Sequence, residues 1–388
     1  MSLLGFGTRE EGPMKPTLKF PRWNLWVWCF ALLMTAGIFA SYTRLAQGTD
    51  RLLSRDFPWS LIVGLNVLCG IAIATGGFTV AASVYVLNLE GHRSIVRASL
   101  AASFAGYVVA ILGLVASGER ATLESKATAS HSVLYGIAWA FVLAGVVLIL
   151  EFAPDLWKRF SSLESPRWLG FLNIPLLFLA VVFSVLYQTR LADVLQALPQ
   201  RLSPLWSTPQ LPFLFFASAV CAALAVIIFA SWHMNVASGK GLSPERVAAL
   251  GRTLAAALFL YLGVRVADIV DRGIPLLVWK NDPENLLLGL EIGLILLPMF
   301  LLIERRNLEN PRIVYLCSAL VLAGLITNRL NTCITSVEAE MKSKYFPRWS
   351  EVLVAYSIVA LGVATFALIA KRLPVFRQSG DAQPEALP

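Results

Sequence analysis

The chain has 388 residues, of which 57% are hydrophobic and only 14% charged, against roughly 25% charged in an ordinary soluble domain. Its 32 lysines and arginines outnumber 24 aspartates and glutamates, for a formal net charge of +8. The apolar residues come as long runs with the charges between them. This argues against a string of soluble domains, and it assigns the basic excess to helix ends and lipid phosphates, not to nucleic acid.

Residues 1–23 hold no apolar stretch of signal-peptide length and read as a cytoplasmic N-terminal segment. The first run, NLWVWCFALLMTAGIFASY, is too long for a cleavable leader and reads as a retained span over 24–43. Crossing about 30 Å of hydrocarbon takes roughly 20 helical residues. The sequence supplies that length again at 58–87, 94–117, 132–153, 168–188, 210–234, 247–269, 286–303, 312–331 and 352–370. The second span is long enough to tilt or kink, and its Gly64, Gly70, Gly76 and Gly77 are places for close backbone approach. The runs are continuously apolar and do not alternate every second residue, so they are helices and not barrel strands. The expected fold is an all-α integral membrane protein of about ten transmembrane helices, with a membrane domain over 24–370 and a polar cytoplasmic tail over 371–388.

Lysines and arginines slightly favour the side that holds the N-terminus, which predicts both termini in the cytoplasm. Trp23, Trp26, Trp28, Trp59, Trp168, Trp206, Trp279 and Trp349 fall near the span ends, where indole rings act as interfacial anchors. Trp59 and Trp139 are also candidates for the border of an aromatic site.

Cys29, Cys69, Cys221, Cys317 and Cys333 are dispersed and form no CxxC pair, so neither a thiolate-held iron–sulfur cluster nor a tetrahedral zinc site is expected. Three histidines, His92, His131 and His233, are a poor supply for a haem bound between helices. The informative polar residues are those inside the apolar runs. Arg265 and Asp268 lie three apart in one span, Glu291 enters the next, and Arg329 closes the one after. An unpaired charge there costs roughly 2.5–3.5 kcal/mol, so these groups need each other, a ligand or water. Two roles remain open for them: fixing which helices pack together, or lining a quinone headgroup pocket and passing protons.

Several stretches together resemble the NrfD/polysulfide-reductase membrane-subunit family, in particular its hydrogenase-linked members. They are FPWSLIVGLNVLCGIAIATGGFTVAA, LSPLWSTPQLPFLFFASA, YLGVRVADIVDRG, the segment from Glu291 to Pro298, and GLITNRLNTCI followed by YFPRWSEVLV. The resemblance implies a haem-free subunit that binds menaquinone or another quinone exchangeably and is not active alone. It also implies a four-cluster iron–sulfur partner, joined in the hydrogenase case to nickel–iron large and small subunits, and a place in the bacterial cytoplasmic membrane. Arg265, Asp268, Glu291 and Arg329 match family polar positions, and Asn331 completes an R-x-N pattern.

Three places depart from the family. Asn66 stands where an acidic residue is common, SVLYG puts Tyr135 and Gly136 where a glutamate is common, and ASGERATLESKA replaces a DLGRPW-like segment. Asn66, His131 and Tyr135 can still hydrogen-bond a quinone. The connections 44–57, 118–131, 188–209 and 332–351 are expected to face the partner. The alternative is a structural anchor or proton-translocating subunit without quinone chemistry of its own, and a transporter ranks third.

Overall fold

The structure, a computed structural model, describes residues 25–47, 59–89, 93–117, 133–160, 166–196, 202–273, 283–342 and 344–376. The segment 1–23, residues 377–388 of the tail, the connection 118–131, His92, His131 and the side chain of Tyr135 lie outside the described residues.

Among the described residues ten long helices follow the expected order: α1 Leu25–Gln47, α2 Val63–Val86, α3 Arg93–Ser117, α4 Val133–Phe160, α5 Arg167–Gln196, α6 Leu211–Ser238, α7 Pro244–Asp271, α8 Pro283–Ile303, α9 Pro311–Met341 and α10 Trp349–Arg372. Nine of them, α2 to α10, are long and apolar enough to cross a bilayer, while the apolar stretch of α1 is the shorter Trp28–Thr43. Connections are brief where they are described. The chain turns from α6 into α7 at Gly239, whose φ of 66° closes the helix end.

α2, α3 and α6 form the centre, and α1 lies against α10 at the edge. Small residues set the spacing of the centre. A Cβ on Gly76 would sit 1.9 Å from the Ala219 carbonyl of α6, and one on Gly70 would sit 2.6 Å from the Gly106 carbonyl of α3. Side chains that hydrogen-bond across helices add to this packing. Ser103 Oγ donates to the Ala74 carbonyl at 2.9 Å, and Tyr107 donates to Ser184 Oγ at 2.6 Å.

Two helices contain wide π turns, Val63–Leu68 in α2 and Asn331–Thr335 in α9. α9 therefore runs ten residues beyond its expected end at 331 before Lys342 adopts a left-handed conformation. Hydropathy marks only the apolar part of this helix, and TSVEAEM continues it as a polar extension.

Candidate functional site

The interior charges Arg265, Asp268, Glu291 and Arg329 gather where the segment 202–210 meets the C-terminal half of α7, α8 and the end of α9. Glu291 is 1% exposed and lies in the apolar stretch of α8 beyond its polar first turn. It accepts hydrogen bonds from Asn328 Nδ2 at 2.8 Å, Asn331 Nδ2 at 3.0 Å and Trp206 Nε1 at 3.1 Å. Asn328 and Asn331 are three apart on one helix, so both reach the same neighbour. Among the described residues three neutral donors hold the carboxylate and no arginine touches it directly.

Arg329 stands behind this group. Its guanidinium donates to Asn328 Oδ1 at 2.6 Å, to Ser218 Oγ at 2.9 Å and to the Phe215 carbonyl at 3.1 Å, and it lies 3.7 Å from the centroid of the Phe215 ring. Asn328 thus bridges a buried cation and a buried anion. Gln188 of α5 donates to the same Phe215 carbonyl at 2.6 Å.

In the second part of the site the expected Arg265–Asp268 ion pair is present, and a second, closer arginine joins it. The closest charged atoms of the expected pair are 4.0 Å apart, whereas Arg272 Nη2 reaches Asp268 Oδ2 at 2.7 Å. Thr208 Oγ1 donates to the other carboxylate oxygen, and Arg265 Nη2 turns to the Leu205 carbonyl at 3.1 Å. Arg272 also donates to the Pro204 and Ser207 carbonyls, each at 2.6 Å. The sequence reading leaves Arg272 in a connection, but helix α7 continues through Asp271 and carries it back over the site. The segment 204–208 is pinned between the two arginines and supplies Trp206 to Glu291.

Trp206 is a further correction: it is fully buried and acts as a hydrogen-bond donor, not an interfacial anchor. Trp59 is buried as well, whereas Trp28, Trp139 and Trp349 are exposed on the bundle surface.

Not all candidates meet here. Asn66 is buried on another side of the bundle, donating to the Ala355 carbonyl of α10 at 2.9 Å, with its own Oδ1 unpartnered. Gly136 is covered by the Tyr187 ring, whose Cε1 would lie 1.8 Å from an added Cβ, so any side chain there displaces that ring.

A polar group absent from the sequence reading lies at the opposite end of the bundle. Glu151 accepts from Asn173 at 2.8 Å, Tyr85 at 2.9 Å and Arg97 at 3.4 Å, and Arg97 also meets Asp155 at 2.6 Å. The signal was available in SIVRASLAA, interrupted by Arg97, and in LILEFAPD, which carries Glu151 and Asp155. Asn328, also outside the sequence reading, is carried in the ITNRLN stretch beside Arg329.

The interior is tightly closed around these groups. Between Ser218, Tyr261 and Asn328 there is a cavity of about 10 Å³, room for one water and not for a quinone ring. Among the described residues no three His, Cys, Asp or Glu side chains are grouped to hold a metal ion, and His233 lies on an exposed helix face beside Tyr315.

No protein-family model matches the chain. Proteins related to it cover nearly its whole length. A protein of Nitratidesulfovibrio vulgaris (strain Hildenborough) is 26% identical over 372 residues, 90% of this chain and 94% of its own. The probable Ni/Fe-hydrogenase 2 b-type cytochrome subunit of Escherichia coli K12 is 25% identical over 332 residues, 83% of this chain and 84% of that one. The chain is a homologue of membrane redox subunits. The menaquinone reductase integral membrane subunit of N. vulgaris adds to this, at 23% identity over 94% of this chain and 93% of its own. The resemblance to hydrogenase-linked membrane subunits, expected from stretches such as GLITNRLNTCI and YLGVRVADIVDRG, is borne out over 83% of this chain.

Proposed function

We propose that this chain is the quinone-interacting membrane subunit of a respiratory oxidoreductase. In this reading it delivers electrons from an iron–sulfur partner of a nickel–iron hydrogenase to menaquinone. The observation that carries the reading is Glu291, a carboxylate buried in a membrane helix and held by Trp206, Asn328 and Asn331, with no direct cation partner among the described residues. Intramembrane acids placed this way mark ligand or proton routes. The homologues named for hydrogenase and for menaquinone reductase support the same direction.

Reducing a quinone consumes two electrons and two protons for each quinol formed. The electrons come from the partner, and the protons must come through this chain or from the adjoining water. The closed packing around Asn328 admits a water and not a ring, so the headgroup approaches the cluster from its rim. There the Glu291 carboxylate takes up a proton from the adjoining water and passes it to the quinone oxygen, returning to the ionised form. Arg329, one amide behind it, stabilises the charge left on the carboxylate. The segment 204–208, clamped by Arg265 and Arg272, positions the Trp206 donor and forms part of the partner-facing surface. The reading gives this chain no haem, iron–sulfur cluster or metal of its own. It places the subunit in the bacterial cytoplasmic membrane with both termini inside.

The test is Glu291→Gln in the purified complex, with hydrogen-to-menaquinone electron transfer and partner recovery measured separately. We expect transfer to fall about a hundredfold, the scale of a lost general acid, with the partner still bound. Wild-type transfer in the variant, or partner and activity lost in proportion, overturns the reading.

A second reading, a proton-translocating role without quinone chemistry, draws on the Glu151 group. Along α5, Asn173 donates to Glu151, Ser184 accepts from Tyr107 and Gln188 donates to the Phe215 carbonyl shared with Arg329, so polar side chains recur on the helix between the two groups. Glu151→Gln that abolishes proton uptake while leaving quinone reduction intact favours it.

A further inference from the structure

The largest cavity among those described, about 460 Å³, lies at the far end of α7 from the candidate site. Arg246 lines it, and Arg265 stands 19 residues further along the same helix, about 28 Å away at 1.5 Å per residue. The volume falls within the range of ligand sites.

The walls of this cavity divide by chemistry. One side is aromatic: Trp232 stacks on Tyr315 with ring centroids 5.1 Å apart and an interplanar angle of 24°. Stacked indole and phenol at a helix end are the side chains that settle at the boundary between acyl chains and headgroups. The other side is polar and cationic. It holds Arg246, half-buried, and the start of α7, where Ser243 makes no side-chain cap and Pro244 opens the helix. The first-turn amides of a helix have no intrahelical acceptors and carry its positive dipole end, so both features favour an anion. Lys240 and Arg312, both exposed, adjoin the lining residues Gly239, Gly241 and Pro311 in the chain, and Glu245 is the acidic residue of the first turn.

A guanidinium and a helix start beside an aromatic ledge suit a ligand with an anionic head and an apolar body. We propose that this cavity binds a phosphate-bearing anion, with Arg246 and the α7 N-terminus on the phosphate and Trp232 and Tyr315 against its apolar part. The phosphate comes either from an anionic phospholipid headgroup of the facing leaflet or from a water-soluble phosphate compound. Arg recognises both through the same paired donors.

The test uses the full chain in detergent, with dioleoylphosphatidylglycerol and dioleoylphosphatidylcholine as probes and retained lipid read by native mass spectrometry. Wild type is expected to retain phosphatidylglycerol over phosphatidylcholine. Arg246→Gln is expected to bind it roughly tenfold less tightly, as for a lost charge-assisted contact. The control Arg252→Gln removes the same charge from an exposed position on the same helix and is expected to bind as wild type. Trp232→Leu provides a second route if Arg246→Gln does not fold: it leaves every charge in place and is expected to weaken retention. Inorganic phosphate in excess separates the sources. Displacement of the lipid assigns the site to soluble phosphates, and persistence assigns it to lipid. Equal retention by wild type, Arg246→Gln and Trp232→Leu, or equal loss in Arg246→Gln and Arg252→Gln, overturns the proposal.

Discussion

Asp268 faces two arginines, and distance decides which one neutralises it. Arg272 makes a 2.7 Å charge-assisted hydrogen bond, while Arg265 stands at 4.0 Å and spends a donor on the Leu205 carbonyl. Removing one partner of a buried pair costs roughly 3–5 kcal/mol, and the partial exposure of Arg272 lowers this to about 2–3 kcal/mol. Arg265 leaves its Nε buried without a partner, so its loss also relieves an unsatisfied donor. Arg272→Gln should therefore lower the thermal midpoint in detergent more than Arg265→Gln does, and the opposite order refutes this assignment of partners. The sequence shows a charged pair on one helical face. It does not show that α7 extends far enough past Asp268 to bring Arg272 over the site, because the DRG stretch reads equally well as a turn. Trp206 fails for a related reason. Composition places a tryptophan near a span end, but only the three-dimensional course of 202–210 turns it inward to Glu291.

At the scale of the helices, close approach is specified by glycine and enforced by backbone. The four glycines of the second span were legible as contact points, since apolar helices in lipid associate best where side chains are smallest. Which helix each would meet was not legible, because that depends on how ten similar apolar rods are ordered. The structure settles it by geometry: Gly76 meets the Ala219 carbonyl of α6, which cannot move aside as a side chain can. Gly76→Ala should push α2 from α6 and reduce the yield of folded protein or lower its thermal midpoint, with a cost of about 1–3 kcal/mol as for overpacking. Gly263→Ala is the matched control on α7, where an added Cβ meets nothing within 4 Å, and it should be neutral or slightly stabilising. Equal effects at the two positions would show that α2 and α6 do not pack at this separation. The same contact bears on the site, because α6 carries Phe215 and Ser218, the partners of Arg329.

Across the whole molecule, the two polar groups and the cavity acquire meaning from the faces on which they lie. Glu291, Arg329 and the Arg272 clamp belong to one half of the bundle, and Glu151, Arg97 and the cavity beside Arg246 to the other. The expectation that the second of these faces is cytoplasmic rests on a shallow basic excess, a contrast too small to orient ten helices by itself. The fold adds a firmer constraint: exactly α7, α8 and α9 separate Lys240 from Lys344, and three crossings put those residues on opposite sides of the membrane. Both side chains are exposed, so single cysteines there can be labelled. In a background with Cys29 replaced, a membrane-impermeant maleimide applied to intact spheroplasts should react with Lys344→Cys. It should reach Lys240→Cys only after permeabilisation. Labelling of both from outside would break the three-crossing arrangement and separate Arg265 and Glu291 from a common interior. The reverse pattern would keep the bundle but invert it, and the electron-donating partner would then have to dock on the cytoplasmic face. The expected pattern puts the clamped 204–208 segment outside, where a partner delivering electrons to a quinone beside Glu291 has the shortest path.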